Sequence, residues 1–335
     1  MKKKIILFKI FCIITIFQAN CLDINSIYVD QTGKNNAYKT INEGIQAAYE
    51  NSINEVRVGP GVYYENIEIT FKLKLIGSGP NFTTIDSSQN IEDVSKDAIT
   101  VDVVDLPVLI SGFTITSIAD GIKLIANNVK FTVQNCIIVG CSNGIYLYRL
   151  KNPGITLINN TIFSNKANGI YFEIDCYKDN YCYDPGTSII IGNIISNNGQ
   201  YGIYHQCVEP QQLDYNNVSN NNSGNYNIRY INNGWIDFPA GPNDINVGPA
   251  FINENNGNFT LKSNSGCKDK GVYGASYNDP DGSRNDIGAY AGPNSALFWP
   301  YPVEGPTIKD LNVIPSSIPK GGKLSIKAKG QIRDN

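Results

Sequence analysis

Short apolar runs, each closed by Asn or Gly, follow one another through most of the chain. NCIIVGCSNGIYLY (135–148), NNTIFSNKANGIYF (159–172) and GNIISNNGQYGIYH (192–205) are near copies of one phrase. Short β-branched runs bounded in this way by Asn and Gly predict strands rather than helices. The segment Ile41 to Tyr49 alone reads as an amphipathic helix.

The phrases recur at a near-fixed interval. Aligning Asn-x-Ile gives Asn135, Asn160, Asn193 and Asn216, at spacings of 25, 33 and 23 residues. Aligning Gly-Ile gives Gly121, Gly144, Gly169 and Gly202, spaced 23, 25 and 33, with Asn227-Ile228 continuing the series after 25 more. The gap from Ile137 to Gly144, Ile162 to Gly169 and Ile195 to Gly202 is 7 each time. A strand repeat of this length predicts a solenoid in which each repeat is one coil. The fold expected is all-β: a single-stranded right-handed parallel β-helix with a helix capping its N-terminal end.

Stacked coils turn sequence columns into faces. Ile122, Ile145, Ile170, Ile203 and Ile228 are expected to face the core, with Leu124, Leu147, Phe172, His205 and Tyr230 on the same inward side. Lys123, Tyr146, Tyr171, Tyr204 and Arg229 are expected to point outward. The asparagine column is expected to turn a corner, its side chains bonding backbone and one another. The long interval places an excursion, EIDCYKDNYCYDPG (173–186), beside the tyrosine column, where Cys176 and Cys182 are expected to form a disulfide.

Composition narrows the function. MKKKIILFKIFCIITIFQANC has a basic start and an apolar run too short to span a bilayer, so residues 1–21 read as an export signal and no transmembrane segment is expected. Cleavage follows Cys21 in this reading. The alternative is lipidation of Cys21, for which Gln18 and Asn20 are poor flanking residues. Loss of Lys2, Lys3, Lys4 and Lys9 moves the net charge from −3 to −7, which disfavours a nucleic-acid partner. Export permits disulfides among Cys136, Cys141, Cys176, Cys182, Cys207 and Cys267, and spacing leaves the pairing open. The protein is expected at the cell surface or outside the cell.

The upstream segments Pro60-Gly61-Val62-Tyr63-Tyr64-Glu65-Asn66-Ile67 and Leu75-Ile76-Gly77-Ser78-Gly79-Pro80, with Thr83, Thr84 and Ile85, resemble the opening of pectinesterases and of the wider pectin-lyase-like group. GNFTLKSNSGCKDKG and DPDGSRNDIGAYAGP resemble the closing segment of secreted bacterial β-helix proteins. The resemblance covers residues 27–293 and implies the fold, because these segments are structural ends. The motifs that carry activity in such families are missing. Where pectinesterases have Q-A-V, Q-D-T-L and D-F-I-F-G, this chain has NGIYLY and NGIYFE. A single histidine, in Tyr204-His205-Gln206, cannot serve the polygalacturonase pattern, and the pectate-lyase W-x-D-H is absent. Fold analogy alone supplies no reaction.

The candidate site is therefore the tyrosine strip. Tyr146, Tyr171 and Tyr204, widened by Tyr148, Arg149 and Glu173, offer aromatic and polar surface to a polysaccharide or cell-surface glycan. A second reading is a lyase or related carbohydrate-active enzyme. In it Asp175, Asp179 and Asp184 of the loop, which also carries Lys178, hold calcium, and a neighbouring Lys or Arg acts as the base, as in β-helix lyases, with no catalytic residue assigned. A third is a structural stalk or adhesin. His205 falls in the inward column, as a hydrogen-bonded interior residue. Asp279 to Asp286 reads as a turn closing the solenoid. FWPYPVEGP, within 294–306, reads as a proline-rich linker. Residues 307–335 then resemble the first strands of an immunoglobulin-like module, Ile308–Val313 and Lys323–Ala328, a partial β-sandwich. The helix is expected to be monomeric within a longer multidomain protein.

Overall fold

The computed structural model describes residues 25–90, 96–125, 127–148, 150, 153–173, 187–206, 212–230, 234–236, 239–300, 307–314 and 325–331. Three parallel sheets run side by side. The first contains Ile27–Val29, Glu55–Val58, Leu73–Gly77, Pro107–Ser111, Lys130–Gln134, Gly154–Ile158, Thr187–Ile191 and Gln212–Asp214. The second contains Gly61–Tyr63, Thr83–Asp86, Thr114–Thr116, Ile137–Val139, Thr161–Phe163, Ile194–Ser196 and Asn217–Ser219. The third contains Ile67–Ile69, Ile99–Val101, Ile122–Leu124, Ile145–Tyr148, Ile170–Glu173, Tyr201–Gln206 and Gly224–Tyr230, closed by the antiparallel strand Gly234–Ile236. From Glu55 onward the chain visits the sheets in rotation, so each circuit adds one strand to each sheet. This is the parallel β-helix that the repeat predicts.

Columns of like residues fill the interior. Val56, Leu75, Ile110, Val133, Leu157 and Ile190 stack in the first sheet. Ile85, Ile115, Ile138, Ile162 and Ile195 stack in the second. Ile67, Ile99, Ile122, Ile145, Ile170 and Ile203 stack in the third. All belong to one core.

The N-terminal opening is covered by helix α1 (Ile41–Glu50), which buries Ile41, Gly44, Ile45, Ala47 and Ala48. Its start is fixed by a capping box between Thr40 and Glu43. Glu65, from the next turn of chain, accepts from the Ile41 and Asn42 amides at 2.8 and 2.9 Å. A carboxylate is thus set against the positive helix end, and four N-terminal donors find partners.

Asparagine ladders hold the corners. The Cys136 amide donates to Asn160 Oδ1, the Asn160 amide to Asn193 Oδ1, the Asn193 amide to Asn216 Oδ1, and the Asn216 amide to Asp244 Oδ1, at 2.7–3.0 Å. Asp244 ends the series as a pure acceptor, its other oxygen taking the Tyr226 hydroxyl at 2.7 Å. A second ladder of the same form runs Cys141, Asn165, Asn198, Asn221. A third, with its acceptors on the preceding coil, runs Asp97, Asp120, Asn143, Asn168 to the Tyr201 amide.

Register corrects the sequence alignment at two places. Asn135 lies over Asn159, and Asn160 lies under Cys136, so Asn135 is outside the ladder. Asn135 instead shares a left-handed column with Gly112, Asn159, Gly192 and Tyr215 (φ 50–77°), a conformation that Gly and Asn adopt at least cost. In the last coil, Ile203 pairs with Tyr226, Tyr204 with Asn227 and His205 with Ile228. Ile228, Arg229 and Tyr230 are therefore two residues out of the columns expected for them. The true step there is 23 residues, set by Asn225, whose carbonyl lies beneath Gly202. A Cβ on Gly202 would sit 2.6 Å from that oxygen, and Gly121, Gly144 and Gly169 meet the next coil at the same distance.

Residues 239–300 form a strap along the outer face of the second sheet. Ile137, Phe163 and Ile194 pack there against Phe251, Phe259, Leu261, Ile287, Ala289 and Tyr290. Hence CIIV, TIF and NIIS are apolar on both faces. Asn135 Nδ2 ties the strap down through the Ala289 and Ala291 carbonyls, at 2.9 and 2.8 Å. The 279–286 turn lies within this strap, on the flank of the solenoid rather than over its end. The packing continues through buried Phe298, beyond residue 293, where Phe298 Cβ lies 2.4 Å from the position a Gly79 Cβ would take. Thr307–Ile314 and Ser325–Gln331 form an antiparallel pair, and Gly321-Gly322 and Lys323 lie outside the described residues.

Asn193 carries the most concentrated test of the ladder. Its side chain accepts from the Asn160 amide and Nδ2, and donates to Leu157, Ile191 and Asn216. Asn193→Ala is expected to lower the unfolding free energy by about 3 kcal/mol, because it orphans a buried amide as well as deleting bonds. Denaturant titration checks this, with exposed Asn258→Ala as the near-neutral comparison.

Candidate functional site

The third sheet presents Glu68, Thr100, Lys123, Tyr146, Tyr171, Tyr204 and Asn227 in one outward register. The structure thus brings together the predicted residues Tyr146, Tyr148, Tyr171, Glu173 and Tyr204. Tyr146 and Tyr171 stack at 5.0 Å with 8° between planes, and Tyr171 and Tyr204 at 5.0 Å with 26°. Tyr148 meets Tyr146 edge-on at 5.6 Å. Arg149, Asp175, Cys176, Lys178, Asp179, Cys182 and Asp184 lie outside the described residues.

This geometry alters what the strip can do. Rings stacked along the helix axis turn their faces to one another, so the sheet presents their edges rather than flat faces. Tyr204 is only 8% exposed, with Tyr201 stacked on its ring at 5.6 Å. It belongs to the outward register but is covered, which the alternation pattern could not reveal. The accessible part of the strip is Tyr146, Tyr148, Tyr171 and Glu173, each half-buried.

Polar groups are already arranged around it. The Tyr146 hydroxyl donates to Glu173 in a short hydrogen bond. Burial, and then Glu173, hold this phenol well above its ordinary pKa, so it stays a neutral donor. Lys123 Nζ lies 5.5 and 5.6 Å from the Tyr146 and Tyr148 ring centres and 3.7 Å from Asp97. That places a cation on the aromatic surface, a neighbour that the Lys123 column position foretold.

The remaining candidates are structural. His205 is buried in the inward column and stacks on Phe172 at 3.7 Å. Neither of its ring nitrogens finds the hydrogen bond expected from sequence, and burial pushes its pKa down to about 3. Asp279 accepts from the Gly292 and Asp286 amides, and Asp286 from the Asp269 amide, so these carboxylates pin the strap. Burial raises Asp279 to about 7 and Asp286 to about 6. Cys136, Cys141 and Cys267 are buried free thiols, not half-cystines, and burial raises each to about 12. Among the described residues, no group of three or more His, Cys, Asp or Glu side chains could hold a metal ion.

Residues 77–265 match the family model of the right-handed β-helix region. The chain belongs to the right-handed β-helix family. None of the curated proteins matches it. Among solved structures, pectin methylesterase PemA from Erwinia chrysanthemi is similar at 14% identity and a TM-score of 0.34, over 67% of this chain and 90% of that one. A pectin methylesterase in complex with hexasaccharide VII is similar at 13% identity and 0.33, over 66% and 89%. The catalytic domain of a GH87 alpha-1,3-glucanase in complex with tetrasaccharides is similar at 15% identity and 0.33, over 64% of this chain. The match spans 35% of that chain, about a third of its length. Among the described residues no helix is long and apolar enough to cross a membrane.

The buried histidine yields a pH prediction. His205 has a depressed folded pKa, so its stabilising contribution is present above about 6.5 and is lost as pH falls towards 3, where only the unfolded chain takes up the proton. Comparing His205→Phe with the parent isolates this effect, because the oppositely shifted Asp279 and Asp286 are common to both. The stability of the parent relative to the variant is expected to fall by about 1.4 kcal/mol per pH unit between pH 6 and 4. Parallel curves from urea titrations would refute it.

Proposed function

We propose that this β-helix protein is exported and binds a polysaccharide along its third sheet, through the strip formed by Tyr146, Tyr148, Tyr171 and Glu173. The observation that carries the reading is the regular ring repeat. Tyrosines recur every 5.0 Å in register with the coils, a spacing on the scale of one pyranose ring. Their hydroxyl-bearing edges line a straight path, and the Tyr146–Glu173 pair, whose one O–H is shared between them, presents acceptor oxygens on it to sugar hydroxyl groups. Because ring faces are turned inward on the stack, recognition runs through hydroxyl groups more than through C–H stacking. The basic and apolar leader at residues 1–21 supports export.

Affinity electrophoresis in gels containing a panel of neutral, amino-bearing and uronate polysaccharides tests the reading. At least one polymer is expected to retard the protein, and Tyr146→Ala combined with Tyr171→Ala to abolish the retardation. Tyr171→Phe, which keeps the ring and removes the hydroxyl, is expected to weaken binding about threefold to tenfold. Mobility unchanged on every polymer would reduce the helix to a spacer.

A further inference from the structure

An open groove of about 830 Å³ lies where α1 meets the first turn of the third sheet. Its walls carry three aromatic rings, Tyr38, Tyr49 and Phe71, and three glutamates, Glu43, Glu50 and Glu68. No Lys or Arg is among the described residues that line it. Tyr49 is 62% exposed, and Phe71 meets it edge-on at 5.4 Å. Most of the Tyr49 ring surface therefore faces solvent, in contrast to the mutually stacked Tyr146, Tyr171 and Tyr204.

The glutamates give the groove its sign. Glu43 is held negative by the Thr40 and Lys39 amides, which bond its carboxylate at 3.1 Å. Glu50 accepts from Gln46 at 2.7 Å. Glu68 stands exposed in the same outward register as Thr100, Lys123 and Tyr146. Three coil steps separate Glu68 from Tyr146, about 14 Å at the usual strand spacing. A chain lying on the strip runs straight into the groove. Exposed aromatic surface ringed by carboxylates attracts a cation through the ring quadrupole and through direct charge.

We propose that this groove is a second subsite on the glycan path and that it takes a sugar ring bearing a free ammonium group, as in a glucosamine polymer. The sugar's C–H face lies on Tyr49 and its ammonium group faces Glu68 and Glu50. The ligand's being a glycan rests on the reading of the tyrosine strip, whereas the site and its charge preference rest on the groove alone.

Isothermal titration with a glucosamine hexamer, its fully N-acetylated counterpart and a galacturonate hexamer decides the matter. The glucosamine hexamer is expected to bind most tightly, and to weaken as salt rises from about 0.02 to about 0.5 M. Tyr49→Ala and Glu68→Gln are each expected to weaken it about fivefold to tenfold, while Tyr49→Phe retains most of the affinity. Both positions are exposed, and an unchanged melting temperature confirms that the variants fold. Equal binding of the acetylated hexamer overturns the charge assignment. If Tyr171→Ala weakens binding but Tyr49→Ala and Glu68→Gln do not, the groove is no subsite and the strip stands. If only the groove variants weaken it, the subsite stands and the strip reading falls. Absence of binding to all three hexamers overturns the subsite.

Discussion

Every coil of this protein lies within one strand spacing of the next, so a corner that turns the chain inward buries backbone donors with no water to receive them. The asparagine ladders answer that constraint. One amide side chain accepts the backbone N–H of the neighbouring coil and donates to the coil beyond, so a single residue type repeats without limit. The ends need different groups. Cys136 and Cys141 begin two ladders as small buried residues whose own amides donate. Asp244, which needs no further donor to place, ends one of them. The glycines at 121, 144, 169 and 202 belong to the same economy of space, since any Cβ there would strike the next coil.

That stacking also shapes the surface. Identical residues at one register position are forced into contact, and for tyrosine the contact is ring on ring. The interaction that lends the third sheet its regular aromatic column thus uses up the ring faces and leaves edges and hydroxyls. An open aromatic face occurs at Tyr49, where a helix meets the first coil. Repetition gives a long uniform strip and its interruption gives a concave groove; in the proposed binding mode the two would divide the tasks of length and selectivity.

The strap from 239 to 300 meets a different demand. It covers an apolar outer sheet face and joins distant coils, binding Asn135 in the middle and Gly79 near the start. Its buried carboxylates, Asp279 and Asp286, bond backbone amides, and they share that duty with the ladder asparagines. The density of Asp between 279 and 286 reflects the needs of a tight turn, because Asp side chains readily accept from clustered backbone N–H groups.

The repeat, the inward columns, the capping helix and the buried place of His205 were legible in the sequence, because period-2 alternation and fixed spacing dictate which side chains meet. So was the gathering of Tyr146, Tyr148, Tyr171 and Glu173, which follows from register alone. Local pattern could not separate Asn135 from Asn160, since one is a left-handed corner residue and its neighbour the ladder residue, and both write as asparagine. Nor could it show that Tyr204 is covered, that Ile137 and Ile194 face a strap, or that the open aromatic surface lies at Tyr49. Those outcomes depend on contacts between segments far apart in the chain. A periodic sequence determines its own stacking, while what lies against the stack is decided only when the non-repeating parts fold onto it.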